Sequence, residues 1–374
     1  MGPVKSLVGS GEVARRQGSR YEQGSMTTFT VVGAGMMGSA LCVPLADRGH
    51  DVRLVGTHLD EEIIAELKGS HSHPKLGVEL HEAIVPHSID ELDTAMDGAE
   101  IIALGVSSAG IDWATERIAP YARADRPIFM ITKGLSWDGE RLRVLPEVVR
   151  DGLPRPARDG IQPAAVAGPC IAGELARRVP TCVVLAGRDA AMLERVAPLL
   201  RTDYYHVWTS TDVVGNEVCA ALKNAYAMAI AFGEGINERQ GGERGSVAMH
   251  NLESAILAQA VVEMQRIALA LGGRPEAVAA LAGVGDLHVT TNGGRTGRFG
   301  RLLGLGLGVS AAVAKMEGAT LECLEIVAVM REATGEMTQR GALEPGALPL
   351  LDHLAEVVLD GAAVDVPLSR FFGG

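Results

Sequence analysis

The glycine-rich turn Gly33-Ala-Gly35-Met-Met-Gly38 constrains the fold of this chain more than any other segment. A β-prone run at 27–32 leads directly into it, an Ala/Leu-rich helix is predicted at 39–48, and a second strand at 51–55. In such a strand–turn–helix–strand unit, the glycines permit a tight turn and let a pyrophosphate approach the helix N-terminus. The alternative is a glycine turn in an unrelated α/β unit, but this context favours dinucleotide binding.

Further strand candidates continue the alternation of strands and helices. They are the short apolar runs at 101–106, 127–132, 164–167 and 182–186. Strands alternating with helices predict a parallel, doubly wound sheet, which binds ligands at the carboxyl ends of its strands. We therefore expect an α/β N-terminal domain of the Rossmann type.

The pattern changes at about Asp212, where strand signals fade. Helices are predicted at 213–232, 252–271, 311–316, 321–334 and 348–360. We therefore expect a dinucleotide-binding Rossmann-type domain at 26–210 and an all-α substrate and catalytic domain at 211–374. Residues 1–25 lack the apolar core of a signal peptide, so we expect a disordered leader or extension before a natural start at Met26.

Charge and composition limit the classes of partner. A formal net charge of -12 argues against nucleic acid or an anionic membrane, because both attract basic surfaces. No apolar stretch approaches the roughly 20 residues of a membrane span. The five cysteines form no Cys-x-x-Cys pair, so we expect free thiols and a cytoplasmic protein. The histidines show no metal-ligand spacing, so no metal is predicted, and His71 and His73 are expected to be solvated in a polar loop.

Lys223 is the strongest single indication of chemistry. Between Val218 and Phe232 the only polar groups are Lys223, Asn224 and the Tyr226 hydroxyl, so the predicted helix is apolar nearly all round and should be buried. Burial lowers the pKa of an ammonium group toward neutrality, which suits a general acid/base. The alternative is a lysine that extends from a helix edge to solvent.

Two other segments contribute candidate site residues. Lys133 follows a predicted strand and should lie at its carboxyl end, although a surface-loop lysine is the alternative. The glycine-rich stretch 283–300 contains Asp286, Thr290 and Arg295, a combination that suits a phosphorylated ligand. Asp286 and Thr290 share a face if this stretch opens a helix, and the alternative for Asp286 is a helix cap.

As a set, these residues resemble the NAD(P)-dependent glycerol-3-phosphate dehydrogenase family over about 26–374. The matching motifs occur in family order: Gly33-x-Gly35-x-x-Gly38, Thr132-Lys133-Gly134-Leu135, Gly168-Pro169-Cys170-Ile171-Ala172-x-Glu174, Asp212-x-x-Gly215-x-Glu217, Ala221-Leu222-Lys223-Asn224, Gly283-x-Gly285-Asp286-Leu287, Arg295, Arg298-Phe299-Gly300 and Glu317-Gly318.

The resemblance implies reduction of dihydroxyacetone phosphate to glycerol 3-phosphate, with NAD or NADP as cofactor. It implies catalytic roles for Lys223, Lys133 and Asp286. It implies substrate binding by Lys133, Asn224, Asp286, Thr290, Gly294, Arg295 and Thr296. It implies cofactor binding by Gly33, Gly35, Met36, Met37, Gly38, Thr57, Lys133, Ala172, Arg295 and Glu317. A homodimer is a possible assembly, on which the sequence is silent.

The chain departs from the family pattern at positions expected on the substrate side. Thr296 stands where the family usually has Asn, Gln259 where it has Arg, and Cys170 where it has Ser or Thr, and the segment 239–245 is extra. A related dehydrogenase for another phosphorylated polyol or hydroxy-ketone is therefore the alternative. The choice between NAD and NADP stays open, because the second strand is followed by Gly56-Thr57-His58 without an acidic residue for the ribose hydroxyl.

Overall fold

A computed structural model describes residues 26–246, 248–292 and 294–373. The predicted leader at 1–25 lies outside the described residues. In the described part of the chain, no helix combines the length and apolar character needed to cross a membrane. All five cysteines are free; three are buried, and Cys170 and Cys182 are half-buried.

The first half of the chain forms a twisted eight-stranded sheet and two short two-stranded ribbons. In chain order the strands are β1 (Thr28–Val32), β2 (Asp51–Val55), β3 (Ser72–His73), β4 (Val78–Glu79), β5 (Ile84–His87), β6 (Ile101–Leu104), β7 (Ile128–Met130), β8 (Leu135–Trp137), β9 (Leu142–Val144), β10 (Ala164–Ala167), β11 (Thr181–Ala186) and β12 (Tyr205–Ser210). The sheet has the order β12-β11-β10-β7-β6-β1-β2-β5, and β3-β4 and β8-β9 form the ribbons.

Helices cover both faces of the sheet, as a doubly wound fold requires. They are α1 (Met36–Asp47), α2 (Glu61–Ser70), α3 (Leu92–Met96), α4 (Ile111–Ile118), α5 (Leu145–Gly152), α6 (Arg155–Gly160), α7 (Ala172–Ala176) and α8 (Ala190–Leu200). Because successive strand residues point to opposite faces, Ile101 and Ala103 join one apolar cluster while Ile102 and Leu104 join the other. This architecture confirms the predicted fold class.

The sheet differs from the prediction in strand direction. β10 and β11 pair antiparallel, so β11 and β12 run opposite to the other six strands. The connection between β10 and β11 contains only the five-residue helix α7. Antiparallel neighbours need no long crossover across the sheet face, unlike parallel ones.

The second half of the chain is helical. Its helices are α9 (Val213–Ile230), α10 (Phe232–Arg239), α11 (His250–Ala270), α12 (Asp286–Thr291), α13 (Arg295–Gly304), α14 (Val309–Ala314), α15 (Glu322–Gln339) and α16 (Pro349–Leu359). Every α9 residue except Val214 is buried. A Cβ on Gly300 would lie 2.1 Å from the carbonyl oxygen of Met228, so glycine allows α13 to pack directly on α9. The division into domains at 210 and 211 stays a prediction; β12 ends at Ser210 and α9 begins at Val213.

The stretch 283–300 is more regular than its glycine content indicates. A π-helical turn at Leu281–Gly285 leads directly into α12, and α13 starts again at Arg295. The stretch therefore does open a helix, which is the condition under which Asp286 and Thr290 share a face. Only the break between the two helices is irregular, with Gly294 at φ +92°.

Candidate active site

The glycine-rich turn requires glycine at two of its positions. A Cβ on Gly38 would lie 1.9 Å from the carbonyl oxygen of Gly33, and a Cβ on Gly33 would lie 2.7 Å from the backbone of Gly105. A Cβ on Gly35 would meet nothing within 4 Å. Gly35 also cannot cap α1 with a side chain, so the first N–H groups of the helix stay available to an anionic ligand.

Two buried side chains that sequence reasoning missed hold this turn. The Asp60 carboxylate accepts hydrogen bonds from the Ala34 N–H at 3.2 Å and from the N–H and hydroxyl of Thr57 at 2.9 and 2.8 Å. His73 accepts from the Leu76 N–H through Nδ1, so its Nε2 carries the proton and donates to the Ala34 carbonyl oxygen at 3.2 Å. His73 is fully buried, so the expectation that it is solvated is wrong. Burial lowers its pKa.

The carboxyl ends of the strands open into a cavity of about 450 Å³ between the sheet and the helical half, which we call the main cleft. From the sheet side it is lined by residues including Gly35, Met36, Met37, Lys133, Cys170 and Ala172. From the helical side it is lined by Lys223, Asn224, Arg295, Thr320 and Glu322. Two chain segments far apart in sequence therefore form one site.

A buried carboxylate joins the two lysines at this cleft. Asp286, with 1% of its side chain exposed, accepts from the Lys223 Nζ at 2.5 Å through Oδ1 and from the Lys133 Nζ at 2.8 Å through Oδ2. Lys133 also donates to the Gly168 carbonyl oxygen at 3.1 Å. Both carboxylate oxygens therefore bind lysines, and no side-chain hydrogen bond caps the N-terminus of α12. The helix-cap alternative is wrong. Lys223 has 10% of its side chain exposed, so it does not extend to solvent.

The electrostatics differ for the three groups. Burial and the neighbouring Lys133 cation lower the pKa of Lys223 to about 8, although Asp286 acts in the opposite direction. Burial also opposes the charge on Lys133, but the Asp286 carboxylate outweighs it and raises the pKa of Lys133. Burial disfavours the Asp286 anion, but both lysines together hold its pKa below the ordinary value. The least firmly protonated cation is therefore Lys223, as a general acid/base requires.

The structure positions most of the predicted cofactor residues around one cleft. Gly35, Met36, Met37, Lys133, Ala172 and Arg295 line it, and Gly33 and Gly38 lie in the turn behind it. Thr57 does not line the main cleft, and its hydroxyl donates to Asp60. Glu317 lies exposed in the turn before α15, with φ +52°, and does not line the cleft either.

The predicted substrate residues separate in the same way. Lys133, Asn224 and Arg295 line the cleft, and Asp286 lies behind the two lysines. Thr290 donates its hydroxyl to the Asp286 carbonyl oxygen at 2.6 Å, inside α12. Gly294 precedes α13 and Thr296 is half-buried in its first turn; neither lines the cleft. The roles of these residues stay predictions.

Glu322, at the start of α15, is a cleft residue that no motif indicated. Its Oε2 accepts from the Nδ2 of Asn224 at 2.8 Å, across 98 residues of chain. One turn later on α15, Glu325 accepts from the Ser108 hydroxyl at 3.3 Å, which links α15 to the nucleotide-binding half. An amphipathic pattern for α15 predicts its buried face, but it does not indicate that Glu322 and Glu325 make these polar contacts.

Gln259 does not lie where the substrate-side expectation put it. It is fully buried, and its Nε2 donates to Glu263 at 2.9 Å while its Oε1 accepts from the Phe372 N–H at 3.1 Å. Glu263 also accepts from the Tyr226 hydroxyl and from the first N–H groups of α16. Gln259 therefore anchors the C-terminal segment, whereas Cys170 does line the cleft and burial raises the pKa of its thiol to about 11.

Glu217 is a buried acid of α9. It is fully buried, and neither carboxylate oxygen has a hydrogen-bond partner within the described part of the chain. Burial raises its pKa to about 8, although the Lys133 cation acts in the opposite direction. Within residues 26–246, 248–292 and 294–373, no cluster of three or more His, Cys, Asp or Glu side chains is arranged to hold a metal ion.

Comparison with known proteins agrees with this geometry. The model of the NAD-dependent glycerol-3-phosphate dehydrogenase N-terminus matches residues 28–193, and that of the C-terminus matches residues 212–368. The chain is 35% identical over 339 residues to the NADP(+)-dependent glycerol-3-phosphate dehydrogenase of Archaeoglobus fulgidus, covering 90% of this chain and 96% of that protein.

Two further similarities point the same way. The chain is 32% identical to the glycerol-3-phosphate dehydrogenase [NAD(P)+] of Chlorobium phaeobacteroides, over 77% of this chain and 82% of that protein. The crystal structure of glycerol-3-phosphate dehydrogenase from Coxiella burnetii superposes with a TM-score of 0.75 at 26% identity, over 90% of this chain and 96% of that one. These findings confirm the resemblance stated from the motifs, and the chain belongs to the NAD-dependent glycerol-3-phosphate dehydrogenase family.

Proposed function

We propose that this protein interconverts dihydroxyacetone phosphate and glycerol 3-phosphate, with Lys223 as the general acid/base. Membership of the family makes it an NAD(P)-dependent oxidoreductase that acts on a CH–OH group. The observation that carries the finer proposal is the Lys133–Asp286–Lys223 cluster at the main cleft. We retain the cytoplasm as the expected location and a homodimer as the possible assembly.

The residues around the glycine-rich turn fit a dinucleotide. The turn admits only glycine at Gly33 and Gly38, and the uncapped N-terminus of α1 suits a pyrophosphate. The nicotinamide supplies or accepts the hydride when the cofactor is bound. Asp60 and His73 hold the backbone of Ala34 and so preserve the shape of the turn.

Lys223 is suited to move the proton. During reduction the carbonyl oxygen gains negative charge, and Lys223 donates a proton to it; during oxidation neutral Lys223 accepts the hydroxyl proton. A pKa of about 8 makes both forms accessible near neutral pH. Lys133, held charged by Asp286, stabilises the developing oxyanion through a donor that is already in place.

The phosphate of the substrate is assigned to the start of α13. Arg295 is the first residue of this helix and lines the main cleft. Its guanidinium and the first N–H groups of a ten-residue helix together suit a phosphate. Thr296 lies beside Arg295 and remains the residue to test for substrate identity.

The test is NADH and NADPH oxidation with dihydroxyacetone phosphate and with longer phosphorylated ketoses. We expect the highest kcat/KM with dihydroxyacetone phosphate, and Lys223→Ala should reduce kcat by 10²–10⁴-fold, the usual worth of a general acid/base. Thr296→Asn should change the ratio of kcat/KM between substrates. A lower KM and higher kcat/KM for a longer ketose would instead support the related-dehydrogenase alternative.

A further inference from the structure

Asn224 lies at the junction of two cavities. One is the main cleft, and the other, which we call the side cavity, has a volume of about 480 Å³. The side cavity is lined by apolar residues such as Leu135, Trp137 and Val329 and by acidic residues of α15. Lys133, Asn224 and Glu322 line both cavities. Glu322 is thus a charged side chain beside the reacting groups that the proposed mechanism does not use.

The contact with Glu322 determines which way the Asn224 amide faces. A carboxylate only accepts hydrogen bonds, so the group of Asn224 that lies 2.8 Å from Glu322 must be the NH₂. Asn224 is 9% exposed, and this contact joins its side chain to α15. Its Oδ1 accepts no hydrogen bond from any described residue, and Asn224 lines the main cleft.

We propose that Glu322 is a positioning residue that presents the Asn224 Oδ1 to a free hydroxyl of the substrate. This inference rests on the proposed function, because dihydroxyacetone phosphate carries one hydroxyl besides the phosphate and the reacting carbonyl. An acceptor at this point selects a hydroxy-ketone phosphate over the same ketone phosphate without the hydroxyl. A site built to hydrogen-bond a substrate hydroxyl discriminates strongly against the analogue that lacks it.

Charge and position agree with this role. Glu322 is the first residue of α15, where the helix macrodipole favours a negative side chain. Asn224 follows Lys223 directly in the buried helix α9, and both residues line the main cleft. Without an acceptor at position 322, the amide is free to turn its NH₂ toward the cleft, and the hydroxyl of the substrate loses its partner.

The experiment compares two substrates in three variants. The substrates are dihydroxyacetone phosphate and hydroxyacetone phosphate, which lacks the free hydroxyl, and the measured quantity is the ratio of their kcat/KM values. We expect Glu322→Ala to lower this ratio by about 3- to 10-fold, the worth of one hydrogen bond. Glu322→Gln keeps an acceptor oxygen and should retain the ratio to within about 2-fold.

The matched control is Glu332→Ala. Glu332 also lies on α15 and lines the side cavity, but it is ten residues beyond Glu322. Its loss removes the same charge and should leave the ratio unchanged. If Glu322→Ala does not fold, Glu322→Ser replaces it, because serine suits a helix start but is too short to reach Asn224.

The outcomes separate this inference from the proposed function. If the wild-type protein reduces dihydroxyacetone phosphate and Glu322→Ala keeps the wild-type ratio, the role of Glu322 is overturned and the function stands. If a longer ketose phosphate is the substrate and Glu322→Ala loses discrimination against its deoxy analogue, the function is overturned and Glu322 stands. Equal losses in the Gln and Ala variants would assign the effect to charge and overturn the amide argument, as would wild-type inactivity with every ketose phosphate.

Discussion

Replacing Asp286 with Asn should move the pH dependence of the reaction toward acid. If Lys223 is the general acid that we propose, it must be protonated for reduction, so kcat/KM for the ketone in the wild-type protein should fall above about pH 8. In the oxidative direction the same group must be neutral, so kcat/KM should rise over the same range. A lysine at its ordinary pKa, near 10.5, would give neither of these two limbs, the fall and the rise of kcat/KM with pH, in this range.

The magnitude follows from the geometry of the cluster. The Asp286 carboxylate contacts the Nζ atoms at 2.5 and 2.8 Å and is 1% exposed. At an effective dielectric constant of about 20, a charge pair about 4 Å apart is worth about 4 kcal/mol, equivalent to roughly three pKa units. The Asn amide oxygen still accepts one hydrogen bond and the site relaxes, so we expect the limb to shift down by about one to two units.

The assay is kcat/KM in both directions between about pH 5.5 and 10, with denaturant unfolding at pH 7. Asp286→Asn should shift both limbs to lower pH and lower the unfolding free energy by about 3–5 kcal/mol, because two cations lose their buried partner. The control is Asp360→Asn, since Asp360 pairs with Arg331 at the surface and such pairs are worth at most about 1 kcal/mol.

The contrary outcomes are limbs that do not move in Asp286→Asn and limbs that move to higher pH. Either result would mean that the anion does not support the charge on Lys223. Unchanged stability in Asp286→Asn would likewise contradict the buried ion pairs. A limb that persists in Lys223→Ala would assign it to another group.

Three further perturbations test the parts around the cluster. Glu217→Gln should remove a pH dependence of stability. Because the pKa of Glu217 is raised in the folded protein, the wild-type unfolding free energy should fall by up to about 1.4 kcal/mol per pH unit between about pH 4.5 and 8. Urea unfolding across this range should show that the variant lacks this fall. His73→Ala should raise the cofactor KM several-fold and leave the substrate KM unchanged, because it frees the Ala34 carbonyl; an unchanged cofactor KM would exclude this support. Gly38→Ala should lower the Tm much more than Gly35→Ala, since only the former Cβ meets backbone; equal Tm values would contradict the close approach.

Local patterns account for the parts of the fold that the sequence predicts well. The run at 51–55 is a strand with the predicted bounds, and 164–167 is another, because period and composition act within a few residues. The helix after the glycine-rich turn begins at Met36, three residues before its predicted start, since the turn glycines join its first turn. The predicted helix at 213–232 ends at Ile230, and α10 then begins at Phe232.

Lys223 is a catalytic candidate that the local sequence is enough to identify. Its apolar flanks are enough to predict a buried lysine with a lowered pKa, and the structure agrees in both respects. The partner of that lysine could not be predicted from neighbouring residues. Asp286 is 63 residues away from Lys223 and 153 from Lys133, and its flanking residues predict a helix cap equally well.

Neighbours along the chain are enough to predict the Rossmann-type unit, the helical second half and the buried lysine of α9. Which polar groups meet depends instead on the packed fold: His73 contacts the turn at Ala34, Glu322 contacts Asn224, and Gln259 contacts the C-terminal segment instead of the substrate side. The reversal of β11 also depends on its pairing with β10. The physical reason is that a buried polar group must find a partner wherever the packed fold provides one, and no periodicity in the sequence records that choice.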